Sequence, residues 1–194
     1  MKICGLMKTT LLDYPGHVAC TLFTGGCNFR CPFCHNSEIL DFFAEEEYTK
    51  EEIFDFLKKR EKKLEGICIS GGEPTIHADL PDFIREIKNG FNLKIKLDTN
   101  GTNYEMLKLL IDEKLVDYVA MDIKSGAGGY SKTAGIRENS ILIEKVKESV
   151  GLLLNGAVEY EFRTTYVLGI HKREDFKEIA NMIKSADKYF IQAY

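Results

Sequence analysis

The chain has 194 residues, is 44% hydrophobic and 29% charged, and carries a formal net charge of −4. This composition excludes a disordered, collagenous or coiled-coil chain, and a pI near 5.7 excludes the basic footprint of a nucleic-acid binder, whose pI typically exceeds about 9. No apolar run approaches the roughly 20 residues that cross a bilayer, and Lys8 interrupts the short run Ile3–Met7, so we expect no leader, no membrane, no nucleic-acid partner and a cytoplasmic setting.

Strand and helix signals alternate along the chain. Val18–Phe23 reads as a strand ending at Gly25-Gly26, and Lys50–Arg60 as a helix opened by a capping box of Thr49 and Glu52. Gly66–Ser70 is a short apolar strand stopped by Gly71-Gly72. Leu80–Lys88 reads as a helix with Asp79 as its cap and Pro81 in its first turn. Leu93–Asp98 is a strand stopped by Asn100-Gly101, Tyr104–Lys114 a helix capped by Asn103, and Val116–Ile123 a strand. Within Ser125–Gly135, the stretch Gly126–Gly129 reads as a mobile loop. A helix over Ser140–Leu154, a strand over Val158–Val167, a helix over Arg173–Lys184 and a last strand over Lys188–Ala193 complete the series. Six strands separated by helices are the mark of a parallel α/β fold, in a chain short of the roughly 250 residues of a full eight-stranded barrel.

Alternation within the strands says where their faces point, since side chains two apart share a face. Leu93, Ile95 and Leu97 oppose Lys94, Lys96 and Asp98; Glu159, Glu161, Arg163 and Thr165 share one face; so do Asp122 and Lys124. Parallel sheets are normally covered on both sides. A barrel with its apolar faces toward the helices and its charged faces toward a polar lumen therefore fits better than a flat doubly wound sheet.

Six cysteines are too few for a disulfide scaffold of this length. Cys4, Cys20 and Cys68 stand among apolar neighbours and read as small buried hydrophobes. Cys27, Cys31 and Cys34 cluster as Cys27-Asn-Phe-Arg-Cys31-Pro-Phe-Cys34-His35, at the C-terminal end of the first strand, where parallel α/β folds place their sites. Four chemistries compete for that spacing. Zinc would need His35 as a fourth ligand adjoining Cys34, whereas structural zinc sites usually use two separated knuckles. Cys31-Pro-Phe-Cys34-His35 matches a c-type haem attachment, which generally needs export. A redox dithiol leaves Cys27 without a role. Three thiolates on one loop can instead hold three irons of a four-iron cluster and leave the fourth iron open. Elements at other strand ends accompany the cysteines: Ser70-Gly71-Gly72-Glu73-Pro74, Asp98-Thr99-Asn100-Gly101, Met121-Asp122-Ile123-Lys124, and Arg163 within the fifth strand.

With Phe33 before the last cysteine and His35-Asn36 after it, followed by Gly71-Gly72-Glu73-Pro74 and Asp98-Thr99-Asn100-Gly101, the sequence resembles the radical S-adenosylmethionine (SAM) enzymes. Within them it is similar to the activating enzymes of glycyl-radical enzymes. Thr10-Leu-Leu-Asp13-Tyr-Pro15-Gly16 most resembles the anaerobic ribonucleoside-triphosphate reductase activating proteins. The resemblance covers nearly the whole chain, residues 1–194 reading as one radical SAM domain. It implies a partial (βα)6 TIM-like barrel of parallel strands, a [4Fe–4S] cluster on Cys27, Cys31 and Cys34, and SAM bound at the open iron. It also implies that Phe33 and His35 lie beside the adenine, Gly71, Gly72 and Glu73 receive the amino group, Asp122 and Lys124 approach the ribose and carboxylate, and Arg163 offers a donor fork to a carboxylate. Asp98 and Asp122 match positions that hold a monovalent cation in the pyruvate formate-lyase branch.

The implied activity is reductive cleavage of SAM to methionine and a 5′-deoxyadenosyl radical, which takes hydrogen from a glycine of a partner enzyme, with a flavodoxin or ferredoxin as electron donor. The expected partner is an anaerobic ribonucleoside-triphosphate reductase; the alternatives are a pyruvate formate-lyase-type partner or a small-molecule substrate. Asp13–Gly16 is the expected border of the opening for the partner's glycine loop. The family carries a little more sequence after the sixth strand, so a short C-terminal piece of the SAM site is unaccounted for here. His17, His77 and His171 receive no role.

Changing Cys27, Cys31 or Cys34 to Ala should abolish the cluster while Cys68→Ala spares it; iron and sulfide analysis after anaerobic reconstitution, about four of each per parent chain, is the measurement.

Overall fold

A computed structural model describes residues 1–137 and 140–194. Seven strands form one sheet in chain order: β1 (Ile3–Thr10), β2 (Ala19–Thr24), β3 (Gly66–Gly71), β4 (Lys94–Thr99), β5 (Tyr118–Asp122), β6 (Glu159–Tyr166) and β7 (Tyr189–Ala193). The helices are α1 (Lys50–Arg60), α2 (Leu80–Gly90), α3 (Tyr104–Asp112), α4 (Tyr130–Ala134), α5 (Ser140–Leu154) and α6 (Arg173–Met182). All neighbours from β2 to β7 are parallel. The architecture is the partial TIM-like barrel that the resemblance implies, with the barrel lumen that the alternation implies.

The N-terminal strand is an addition. β1 runs antiparallel to β2, from Ile3 opposite Thr24 to Thr10 opposite Ala19, with two register shifts. Those irregularities and Gly5 break its alternation, so no period-two signal marks it.

Facing is as the alternation predicts. Leu93, Ile95 and Leu97 are buried in the apolar layer beneath the helices with Leu80, Ile84 and Ile87 of α2; burying each such side chain stabilises the fold by about 1.5–3 kcal/mol. Lys96, only 1% exposed, points the other way and pairs with Asp98. Cys20 joins the apolar layer. Cys68 is buried as well, but its sulfur lies 3.8 Å from the Lys96 ammonium. It is a lumen residue rather than a core hydrophobe, and burial holds its thiol well above the ordinary value.

Helix ends follow their caps in part. Thr49 and Glu52 make both bonds of the capping box, and Asn103 accepts from the Met106 amide at 3.2 Å. Asp79 makes no cap bond; its carboxylate pairs with the N-terminal ammonium of Met1 instead.

Two segments depart from expectation. Asp13–Gly16 lies at the N-terminal end of the strands, opposite the cysteine loop. Tyr14, 2% exposed, packs on Tyr118 and His17 with ring centroids 6.0 and 4.7 Å away, while Asp13 accepts a 2.5 Å hydrogen bond from Thr21. The segment floors the barrel rather than bordering its mouth. Ser125–Gly135 is packed rather than open. It contains α4, whose Tyr130 is buried against Phe29, and its Ser125 hydroxyl donates to Asp175 of α6 at 3.0 Å. The Ala134 carbonyl accepts from the Arg30 amide at 2.9 Å, so α4 backs the cysteine loop. Gly135 closes α4 at φ +64°, where a Cβ would stand 1.8 Å from the Arg30 carbonyl oxygen.

Gly135→Ala should therefore destabilise the metal-free chain by about 2 kcal/mol, lowering Tm by roughly 4–8 °C in a thermal melt.

Candidate active site

The cysteine loop leaves β2 at Gly25-Gly26 and returns through Ile39 and Leu40, whose carbonyls accept from the amides of Gly26 and Cys27 at 2.7 and 3.1 Å. Within it the Cys34 amide donates to the Cys31 carbonyl at 3.1 Å, and the Phe29 amide donates to the Cys27 sulfur at 3.3 Å. Arg30 folds back to donate to the carbonyls of Cys27 and Phe29 at 2.5 and 2.8 Å. His77 contributes from the next crossover, its Nε2 lying 2.9 Å from the Gly25 carbonyl oxygen.

The glycine motif after β3 meets this loop backbone to backbone. Gly71 sits at φ +118°, and a Cβ on Gly72 would fall 1.9 Å from the Gly26 carbonyl oxygen. No side chain could be accommodated at either position. Glu73, 1% exposed, locks the turn in place. Its carboxylate accepts from the Thr75 amide and hydroxyl, the Thr99 hydroxyl and the Asn100 amide at 3.2, 2.5, 2.7 and 2.6 Å. Burial nonetheless raises its pKa above the usual value. With both oxygens engaged, Glu73 ties the end of β3 to the end of β4.

The opposite wall is ionic. Arg163 on β6 donates through Nε to Asp122 of β5 at 3.0 Å and places Nη2 3.3 Å from Asp98 of β4. Lys124 donates to the other Asp122 oxygen at 3.0 Å, Lys96 pairs with Asp98, and the Ser70 hydroxyl donates to Asp98 at 3.1 Å. Deeper in the barrel the Tyr118 hydroxyl donates to Glu161 at 2.8 Å. Burial alone would raise both aspartates. Arg163, aided by Lys96 at Asp98 and by Lys124 at Asp122, outweighs it and holds both below the usual carboxylate range. The guanidinium thus stands between the two carboxylates.

Cys27, Cys31, Phe33, Cys34, His35, Gly71, Gly72, Glu73, Asp98, Asp122, Lys124 and Arg163 all line one cavity of about 220 Å³. Phe29, Asn36, Leu40, Ser70, Thr99, Asn100, Thr165 and Gln192 complete its wall; of these, Asn36, Ser70, Thr99 and Asn100 stand in the motifs and Thr165 was signalled by its alternation with Arg163. Phe33 is buried, and Tyr194 stands at 6.1 Å from its ring and 5.1 Å from that of His35. The donor set suits an iron–sulfur cluster. Burial pushes the Cys27 thiol up to about 12 and raises Cys31, with the Lys124 charge opposing the rise at both. Metal binding at Cys27 and Cys31 must therefore displace protons from raised thiols. Among the described residues no three Cys, His, Asp or Glu side chains converge on one ion position. A cubane takes each thiolate on a different iron, so it does not need three side chains to meet at one ion.

The radical SAM superfamily model matches residues 21–186. Over 99% of its length, the chain is 36% identical to a Methanocaldococcus jannaschii protein named as a glycyl-radical enzyme activating enzyme, covering 79% of that protein. It is 26% identical over 95% of its length to the pyruvate formate-lyase-activating enzyme of Clostridium pasteurianum, covering 76% of that protein. In structure it is similar to Streptococcus suis SuiB bound to the precursor peptide SuiA, with a TM-score of 0.67 at 15% identity over 90% of this chain and 38% of SuiB.

Arg163→Leu should leave two half-buried carboxylates without their shared cation, with only Lys96 and Lys124 still beside them, and cost about 1–3 kcal/mol near neutral pH. The depressed aspartates contribute stability that is present above their unfolded pKa near 3.9 and lost as pH falls through their folded values; without Arg163 their pKa values rise and protonation relieves the strain. The Tm difference between parent and variant should accordingly be larger at pH 8 than at pH 5.

Proposed function

Because the chain belongs to the radical SAM superfamily, whose members use a [4Fe–4S] cluster and SAM, we propose that it activates a glycyl-radical enzyme. The observation that carries this reading is the joining, on one cavity, of three cysteine thiols, the Gly71-Gly72 turn and the ionic wall of Asp98, Asp122, Lys124 and Arg163, in a chain similar over 99% of its length to an activating-enzyme relative. When bound, the cluster and SAM supply reductive cleavage of the sulfonium to a carbon radical; the chain supplies binding, orientation and exclusion of water.

In this reading Cys27, Cys31 and Cys34 hold the cluster. The backbone at Gly71 and Gly72 approaches the SAM ammonium closely because no side chain intervenes. Lys124, whose pKa Asp122 and Cys31 raise despite burial, faces the carboxylate as a fixed cation. Phe33 and His35, with Tyr194 against both rings, offer an aromatic wall for adenine. Arg163 keeps Asp98 and Asp122 ionised and in place.

The proposed protein substrate is an anaerobic ribonucleoside-triphosphate reductase, in keeping with Asp13-Tyr14-Pro15-Gly16. A pyruvate formate-lyase-type partner is the second reading, favoured by the similarity to the Clostridium pasteurianum enzyme. A flavodoxin or ferredoxin would donate the electron, in the reducing cytoplasm where thiols persist.

Anaerobically reconstituted protein, incubated with SAM, a reductant and each candidate partner, should yield a glycyl radical by electron paramagnetic resonance with one partner and not the other. SAM cleavage with neither partner giving a glycyl signal counts against activation; stoichiometric zinc with no iron counts against the whole reading.

A further inference from the structure

His171, in the loop between β6 and α6, is 7% exposed and has entered none of the roles above. Its Nδ1 accepts from the Val167 amide at 3.1 Å, and its Nε2 lies 2.7 Å from the Lys124 carbonyl oxygen. An amide N–H only donates and a carbonyl only accepts, so these partners assign the neutral tautomer with the proton on Nε2. The ring also packs beside Phe33, Tyr166 and Phe176, at 6.1, 6.2 and 5.8 Å between centroids. Phe33 belongs to the cysteine loop. Lys124 follows β5 and sets its ammonium on Asp122. One side chain of the loop after β6 therefore joins two pieces of the cavity wall that are far apart in sequence, the cysteine loop and the turn after β5.

We propose that His171 is a positioning residue for SAM. Resting on the SAM-binding reading above, the proposal is that the imidazole fixes the Lys124 backbone on one side and the Phe33 ring on the other. The cation that faces the carboxylate and the aromatic wall beside the adenine are thereby held at a constant separation. A ligand that must touch both ends at once gains from walls set in advance, because no binding free energy goes into ordering them. The histidine itself is a support, separated from the ligand by the groups it holds.

His171→Leu keeps bulk and removes both hydrogen bonds; His171→Gln keeps a donor and an acceptor on a comparable reach. In reconstituted enzyme, SAM affinity by equilibrium dialysis should weaken about tenfold in His171→Leu and stay within about threefold of the parent in His171→Gln, the scale of one or two net hydrogen bonds. Iron content should be unchanged, and KM for SAM should move more than kcat. In the metal-free chain the Lys124 amine should acetylate several-fold faster in His171→Leu than in the parent, read by mass spectrometry, with His171→Gln between. Should His171→Leu fail to fold, His171→Asn, with the same groups on a shorter arm, replaces it with the same losses expected. Unchanged SAM affinity in the Leu variant, a Gln variant no better than Leu, or unaltered Lys124 labelling would each overturn the proposal. Failure of the underlying reading looks different: the parent protein itself would bind no SAM.

Discussion

The Arg163 guanidinium reaches from β6 across β5 to β4, with Asp122 at 3.0 Å and Asp98 at 3.3 Å. Three adjacent parallel strands carry these groups, and all of them point into the lumen because each stands on the face opposite the apolar set. A pair of carboxylates this close would repel each other without the cation between them. Buried ion pairs seldom stabilise a fold more than well-packed apolar side chains would. What this set provides is a rigid charged wall, with Lys96 backing Asp98 and Lys124 extending from Asp122, held at fixed positions before any ligand arrives.

The other wall is made of backbone. The cysteine loop and the turn after β3 touch at Gly26 and Gly72 with no space for a side chain between them, and Glu73 fastens that turn to β4 through Thr99 and Asn100. α4 supports the loop from behind through Arg30, Phe29 and Tyr130. Charge on one side and bare peptide on the other suit a zwitterionic ligand, whose carboxylate and ammonium ask for opposite surroundings.

Much of this was legible in residue order. Period-two alternation located the lumen, since Lys96, Asp98, Glu161 and Arg163 fall on the strand face opposite Ile95, Leu97 and Phe162. Local motifs located the cysteine loop and the glycine turn. What sequence concealed were partnerships at long range. β1 is irregular at Gly5 and gains its order from pairing with β2. Gly126–Gly129 has the composition of a mobile loop, and the bonds on either side of it, Ser125 to Asp175 and Arg30 to Ala134, give Ser125–Gly135 its path. Glu73 and Arg163 belong to the site but meet protein groups first, which no motif states. His171 looks like any loop histidine until Lys124 and Phe33 are placed beside it.

The contact between Arg30 and the α4 end joins parts of the chain made at different times. During synthesis the cysteine loop emerges early, and its backing follows roughly a hundred residues later, about 5–20 seconds at ordinary elongation rates. Throughout that interval β2 has β1 as its partner but no α4 to brace the loop, and the imidazole that joins Phe33 to Lys124 is later still. The three thiols therefore spend the first part of the protein's life on a loop braced only by Ile39, Leu40 and His77, before its α4 backing exists. Maturation of this protein is in that sense ordered by translation: the ligands come first, the shape that selects their proper occupant last.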